Sequence, residues 1–95
     1  MAAYVIVDEV ITDVSRFEEY RRLAGLSMAE FGAKFLVRGG DVTPLEGDWS
    51  PKRLVVLEFE SVERARAWYE SADYQAAIRA RQGGAISKVL MVEGA

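Results

Sequence analysis

The sequence predicts an α+β fold of the ferredoxin-like type, with the order strand, helix, strand, strand, helix, strand. Four segments rich in β-branched and aromatic residues indicate strands, and segments with apolar residues at helical spacing indicate helices between them. Two right-handed crossovers laid on one sheet give four antiparallel strands with the helices on one face. The 95 residues fit one domain, residues 1–95, because two cores would each be too small to offset chain entropy.

The first three elements follow from local signals. Residues 3–11 read as a strand, since β-branched residues are dense there and no helix breaker intervenes. A helix follows, for which Ser15 is the predicted N-cap and Glu18 its capping-box partner. Its buried stripe consists of apolar and aromatic residues at helical spacing: Phe17, Tyr20, Ala24, Met28 and Phe31. Gly32 ends this helix, and residues 34–38 form the second strand.

The third strand is predicted at residues 53–60, RLVVLEFE. It alternates between a clean core face and a mixed face: Val55, Leu57 and Phe59 against Leu54, Val56 and Glu58. The connection over residues 39–52 is long for a hairpin and irregular, because it contains prolines. Gly39-Gly40 at its start predicts a bulge or a positive-φ turn rather than a phosphate cradle, since no helix N-terminus follows.

The second helical region is predicted to bend. Ser61 is its expected N-cap, and a change of direction near Ser71 gives a further short helix containing residues 74–81. Residues 88–93, KVLMVE, form the last strand.

The face of the sheet that the helices leave uncovered is predicted to be apolar. It carries Leu54 and Val56, and we expect Ile6 to join them, which makes this face too apolar to meet water. We therefore expect a homodimer that buries sheet against sheet. Strict alternation on the second strand places Leu36 and Arg38 on one side, but the register that assigns this side to a face is left open.

The composition excludes several chemistries. The chain has no cysteine and no histidine, which removes disulfides, thiolate nucleophiles, Ser-His-Asp triads, the usual zinc sites and a histidine ligand for haem. We expect no cofactor and no metal, and proton transfer would depend on carboxylates, tyrosine, lysine or water.

The charge balance excludes two classes of partner. The formal net charge is −3, so we expect neither nucleic acid nor a membrane surface as a partner. The third strand also lacks the basic and aromatic pattern of an RNA-recognition domain, which has the same element order. Because Asp8 interrupts the first apolar stretch, no signal peptide or spanning helix is expected, and a cytoplasmic location is the default.

Three charges within the predicted strands are candidates for a catalytic site: Arg38, Glu58 and Asp8. In one interpretation they form ion pairs at the margin of the dimer interface. In the other, Arg38 anchors an anionic or carbonyl group, and Glu58 or Asp8 is a carboxylate that an apolar cleft makes useful as a base. The two interpretations are compatible.

Aromatic side chains supply the candidate ligand-binding surface. These candidates are Tyr4, Trp49, Trp68 and Tyr74. Tyr69 is expected in the core, and Trp68, about 100° round the helix from it, lies at the border, where it packs at the interface or lines a cavity with Tyr74. Trp49 lies in the long loop, where clamping the loop onto a partner subunit is favoured over binding a ligand.

Several of these segments resemble one known family when they are taken together. They are Phe35–Gly40, Leu45–Gly47, Pro51, Val55–Phe59, Ala67–Tyr69, Ser71 and Tyr74-Gln75. This set resembles the domain-of-unknown-function family numbered 1330, within the dimeric α+β barrel superfamily. The resemblance implies a ferredoxin-like protomer whose sheet packs on that of its partner to form a barrel-like dimer.

The resemblance implies no particular reaction. Superfamily relatives include cofactor-independent monooxygenases, muconolactone isomerases, haem-degrading enzymes and chlorite dismutases, and the last two depend on a histidine that this chain lacks. The recurrent family positions carry no established catalytic role; here they are Arg38, Glu58, Trp68, Tyr69 and Tyr74. Relatives can have a histidine in the first strand, where this chain has Asp8.

Two functional hypotheses follow. The first is a homodimeric small-molecule-binding protein or a cofactor-independent enzyme, monooxygenase- or isomerase-like, with a cleft between sheet and helices. Its ligand would be a small anionic or carbonyl metabolite. The second is a non-catalytic interaction or structural dimer in which the strand charges are interface ion pairs. Whether the protein is an enzyme is left open.

Overall fold

The computed structural model describes residues 1–95 and confirms the ferredoxin-like fold. The elements in chain order are β1 (Ala3–Ile11), α1 (Val14–Glu30), β2 (Lys34–Arg38), β3 (Arg53–Phe59), α2 (Val62–Glu70), α3 (Ala72–Arg81) and β4 (Ala85–Glu93). The four strands form one open antiparallel sheet in the order β2-β3-β1-β4. None of the helices has the length and apolar composition needed to cross a membrane.

The core lies between one face of the sheet and the helices. The two central strands contribute alternate residues to it: Ala3, Val5, Val7, Val55, Leu57 and Phe59. The predicted core face of β3 is therefore confirmed. The helices cover this face with further buried side chains: Phe17, Tyr20, Ala24, Met28, Ala65, Trp68, Tyr74 and Ala77. The opposite side of the sheet, which we call the open face, has no helix on it.

A β-bulge in β2 decides which face Arg38 occupies. Phe35 pairs with Leu57 and Arg38 pairs with Val55, and the register shifts between Phe35 and Val37. One extra residue in a strand reverses the side of every residue after it. Arg38 consequently shares the helix-covered face with Phe35, and the strict alternation that the sequence predicts for this strand is wrong.

The first helix begins earlier than predicted. Asp13, not Ser15, is the N-cap: its backbone is extended and its carboxylate accepts a hydrogen bond from the Arg16 amide at 3.2 Å. Ser15 lies inside the first turn, where its hydroxyl donates to Asp13 Oδ1 at 2.9 Å. Both residue types are good caps, so the sequence pattern alone does not separate them.

The bend in the second helical region is confirmed. Ser61 caps α2, and Ser71 both ends α2 and caps α3, accepting a hydrogen bond from the Tyr74 amide at 3.1 Å. The last strand is longer than the predicted residues 88–93, because β4 pairs with β1 along the whole of β1, from Ala3 to Ile11.

Candidate functional site

A cleft of about 50 Å³ lies between α1 and the part of the sheet formed by β1, β3 and β2. Its walls are largely apolar: Val7, Phe17, Ala24, Met28, Phe35 and Val55. Gly25, four charged side chains and one phenol complete the lining; the charged side chains and the phenol are Glu9, Arg21, Arg38, Arg53 and Tyr20. Apolar walls with a few converging polar groups are typical of a ligand site, although this cleft is smaller than most such sites and suits only a small ligand.

Arg38 is an exposed cation on the lining of this cleft. Its guanidinium carbon lies 4.3 Å from the centroid of the Phe35 ring, which holds the side chain against the wall. None of the salt bridges within the chain involves Arg38. The charge is therefore free to meet an anionic group.

Glu9 is the buried charge of the cleft. Its side chain is 3% exposed and accepts a hydrogen bond from Arg53 Nε at 3.0 Å. Arg53 lies opposite Glu9 on β3 and passes over Gly39, where an added Cβ would clash with the guanidinium. Gly39 also has a φ of 75°. The predicted positive-φ turn at Gly39 is therefore confirmed, and its glycine also leaves room for Arg53.

A pair of tyrosines links the cleft to the core. The hydroxyl groups of Tyr20 and Tyr74 are hydrogen-bonded at 2.8 Å, and the Arg81 guanidinium carbon lies 4.8 Å from the centroid of the Tyr20 ring. Burial raises the pKa of Tyr20 and of Tyr74 above its ordinary value. Both phenols are therefore neutral hydrogen-bonding groups at physiological pH.

Three buried polar atoms have no hydrogen-bond partner within the chain: Glu9 Oε2, Arg81 Nη1 and Ser87 Oγ. Ser87 lies directly opposite Glu9 on β4. Buried polar groups are nearly always hydrogen-bonded, so unpaired ones require an explanation.

The structure separates the three charges that the sequence singles out. Asp8 and Glu58 lie on the open face, where Asp8 accepts a hydrogen bond from Trp49 Nε1 at 2.8 Å. Glu58 lies opposite Tyr4 and raises the pKa of that phenol, mainly through their hydrogen bond. Arg38 lies on the other face, so a cleft that holds Arg38 together with Asp8 or Glu58 is not formed within one chain.

The aromatic candidates also divide between the core and the open face. Trp68 and Tyr74 are fully buried, with ring centroids 4.0 Å apart, and Trp68 Nε1 donates to Ser27 Oγ at 3.1 Å. They are core residues and do not line the cleft under α1. Tyr69 is 43% exposed, and its predicted core position is wrong because Trp68 takes it.

Trp49 and Tyr4 lie on the open face. Trp49 is 60% exposed and borders a groove of about 380 Å³ with Asp8, Val10 and Ile86. The loop thus folds back onto its own sheet, and the predicted clamp of Trp49 on a partner subunit stays a prediction.

Sequence reasoning missed the polar residues in the cleft and beside it. Glu9 and Arg53 line the cleft, as does Tyr20, which was expected only as core. Arg81 contacts Tyr20, and Ser87 lies opposite Glu9. A signal was present for Glu9, because it interrupts the apolar face that Val5 and Val7 begin on β1. No group of three or more acidic side chains lies close enough to hold a metal ion.

Several solved structures share the fold at low sequence identity. A protein of unknown function from Rhodopseudomonas palustris is 18% identical, with a TM-score of 0.78 over 99% of this chain and 82% of its own. A dimeric ferredoxin-like protein of unknown function from Bacteroides fragilis is 12% identical, with a TM-score of 0.64 over 98% and 96%. SnoaB, a cofactor-independent oxygenase from Streptomyces nogalater, is 10% identical, with a TM-score of 0.58 over 99% and 92%.

No curated protein has a sequence significantly similar to this chain. A family model nevertheless matches almost its whole length, residues 2–95. The resemblance seen in the sequence is thus confirmed, and the chain belongs to the family described as "Domain of unknown function (DUF1330)".

Proposed function

We propose that this chain forms a homodimer that binds a small anionic or carbonyl metabolite in the cleft under α1. The observation that carries the proposal is the unpaired Arg38 guanidinium beside an apolar-walled cleft. Of the three arginines that line the cleft, Arg53 pairs with Glu9 at 3.0 Å and Arg21 with Glu18 at 3.5 Å. Arg38 is the one left to receive a carboxylate or an enolate, for which a guanidinium is well suited.

A cofactor-independent reaction of the monooxygenase or isomerase type is the enzymatic form of this proposal. The fold is shared with SnoaB, which is described as a cofactor-independent oxygenase. Among the carboxylates of the chain, Glu9 is the one that lines the cleft. It therefore takes the role of proton acceptor that the sequence pattern gave to Asp8 or Glu58.

The open face is the proposed dimer interface. Large apolar side chains are exposed on it, among them Ile86 at 67% and Leu90 at 56%. Burial of such residues is favourable by about 25 cal/mol per Å² of apolar surface. A ferredoxin-like neighbour is described as dimeric, which supports self-association. In the dimer Asp8, Glu58 and Tyr4 would be interface residues.

The proposal is tested by substituting Arg38 and screening aromatic and keto acids by thermal shift. We expect some acids to stabilise the unaltered chain, by about 2.7 kcal/mol at one hundred times Kd. Arg38→Ala should remove this stabilisation while the dimer stays intact. Arg79→Ala is the matched control, because Arg79 is an exposed cation on α3 outside the cleft lining.

Two outcomes would contradict the proposal. Equal stabilisation of Arg38→Ala and the unaltered chain would show that Arg38 is not the anchor. Loss of folding or dimerisation in Arg38→Ala alone would make Arg38 a structural residue, as in a purely structural dimer.

A further inference from the structure

The floor of the cleft holds a buried carboxylate with one free oxygen. Arg53 satisfies Glu9 Oε1 at 3.0 Å, and Oε2 has no partner although the side chain is 3% exposed. An unsatisfied buried acceptor is unfavourable, and more so when it is charged. A hydrogen-bond donor on a bound ligand would satisfy this oxygen.

One of the other two unpaired atoms lies beside Glu9. Ser87 is directly opposite Glu9 in the pairing of β1 with β4, and such opposite residues have Cβ atoms about 4.5–5.5 Å apart. Arg81 lies over the ring of Tyr20, which lines the cleft, but neither Arg81 nor Ser87 is part of the lining. Ser87 is therefore the unpaired polar group that adjoins Glu9.

The chemistry of Glu9 selects a hydroxyl as its partner. Glu9 Oε2 accepts a hydrogen bond, and the Ser87 hydroxyl beside it donates or accepts. A ligand carbonyl has no hydrogen to give to Glu9, and a second carboxylate would be repelled by it. A cation would be repelled by Arg53, which pairs with Glu9 at 3.0 Å. A hydroxyl donates to the carboxylate without carrying a charge, so it suits this oxygen.

The distance from Arg38 to Glu9 sets the shape of the ligand. Arg38 on β2 is level with Val7 on β1, because both pair with Val55 on the intervening β3, and Glu9 lies two residues along β1 from Val7. Ordinary strand spacing and rise then place the Cα atoms of Arg38 and Glu9 about 12 Å apart. Both side chains enter the cleft between these points, and Phe17 and Phe35 are among the apolar walls. The ligand therefore has a short apolar body with a polar group at each end.

We propose that the cleft is specific for a small hydroxylated carboxylic acid, with the carboxylate on Arg38 and the hydroxyl on Glu9. This inference rests on the proposed function and deepens it by naming the ligand class. Ser87, which lies opposite Glu9 on β4, acts as a positioning residue beside that carboxylate.

The test compares acids that differ by a single hydroxyl. Isothermal titration calorimetry on the full chain would use two matched pairs, 4-hydroxybenzoate with benzoate and 4-hydroxybutyrate with butyrate. We expect the hydroxylated member of at least one pair to bind about tenfold more tightly or better, as a hydrogen bond to a buried charge provides. This comparison is made on the unaltered chain, so it does not depend on the folding of any variant.

Variants then assign the effect to residues. Glu9→Gln should remove most of the hydroxyl preference and leave carboxylate binding in place. Arg38→Ala should weaken both members of a pair by a similar factor. Ser87→Ala should reduce the hydroxyl preference only partly, because Glu9 still accepts the hydrogen bond.

The outcomes separate the inference from the proposed function. Equal affinity within both pairs, with binding lost in Arg38→Ala, would overturn the hydroxyl site and leave the anion cleft intact; it would mean that water satisfies Glu9. Binding of keto acids but of neither matched pair would also overturn the inference alone. No binding of any acid would overturn both.

Discussion

At the residue scale, the hydrogen bond between Tyr20 and Tyr74 connects the cleft under α1 with the core. Tyr20 lines the cleft, and Tyr74 lies fully buried against Trp68. Because burial raises the pKa of each phenol, the pair exchanges a hydrogen bond as two neutral groups. The pair therefore fixes the position of the Tyr20 hydroxyl.

Removing the Tyr74 hydroxyl should destabilise the fold. Tyr74→Phe leaves the buried Tyr20 hydroxyl without its partner, and we expect a loss of about 1–2 kcal/mol in the free energy of unfolding, measured by urea denaturation. Tyr69→Phe is the matched control, because Tyr69 lies on the neighbouring helix and is 43% exposed. It should change stability by less than about 0.5 kcal/mol. Equal losses in the two variants would show that the hydroxyl pair contributes nothing specific.

Glu9 shows how a residue can be overlooked when its neighbour is also charged. Asp8 and Glu9 are adjacent acids in β1, and alternation sends them to opposite faces. The sequence pattern predicted Asp8 as a candidate catalytic residue, whereas Glu9 is the acid that the helices bury. The distinction depends on which face the helices cover, and the apolar residues Val5 and Val7 already mark that face.

At the element scale, the N-terminus of α1 is fixed by Asp13. Its carboxylate accepts a hydrogen bond from the Ser15 hydroxyl and from the Arg16 amide, and these bonds lower the pKa of Asp13. A lowered pKa in the folded state means that the charge stabilises the fold above the ordinary aspartate range. This stabilisation is lost as the pH falls through the lowered pKa.

Substitutions at the start of α1 should distinguish Asp13 from Ser15. Asp13→Ala should lower the melting temperature near neutral pH more than Ser15→Ala does, because the former removes the cap and the latter only a bond to it. Asp13→Asn keeps a capping oxygen without the charge. The difference in melting temperature between the unaltered chain and Asp13→Asn should therefore become smaller as the pH falls to about 3. A larger effect of Ser15→Ala, or a difference independent of pH, would contradict this assignment.

The bulge in β2 is the second decisive local feature. Without the register shift between Phe35 and Val37, Arg38 would lie opposite Leu54 on the open face, the face that also holds Asp8 and Glu58. The extra residue instead directs Arg38 under α1. Bulges are often found next to functional sites, where they redirect a side chain.

At the scale of the whole molecule, the two faces of the sheet differ in what covers them. Helices bury one face, whereas the open face has exposed Ile86 and Leu90 and the indole of Trp49. A monomer with such a patch would be prone to association. Self-association through this face is therefore the simplest way to remove it from water.

A charge placed at the centre of the open face should disrupt the proposed dimer. Ile6 lies between Val56 and Leu90 in register, so Ile6→Glu would bury a carboxylate without a partner. We expect sedimentation to show a dimer for the unaltered chain and a monomer for Ile6→Glu, with the circular dichroism spectrum retained. Leu26→Glu is the control, because Leu26 is exposed on α1. A dimeric Ile6→Glu variant would place the interface elsewhere, and a monomeric unaltered chain would rule out the dimer.

Much of the fold was predictable because it depends on local patterns. The strand at residues 3–11, the alternation of Val55, Leu57 and Phe59, and the caps Ser61 and Ser71 each follow from period or residue type. The prediction failed for Trp68 and Tyr69, which are adjacent on α2. These two side chains point in directions about 100° apart, and the orientation of α2 on the sheet decides which of them is buried.

The sequence by itself determined the ferredoxin-like order of elements, the apolar open face and the absence of histidine and cysteine chemistry. These properties depend on composition and on periods of two and 3.6 residues, which are local. Only the tertiary structure decided that Arg38 and Glu9 line one cleft and that Asp8 and Glu58 lie on the other side of the sheet. The physical reason is that one bulged residue and the choice of covered face set side-chain direction, and both arise from pairing between distant strands.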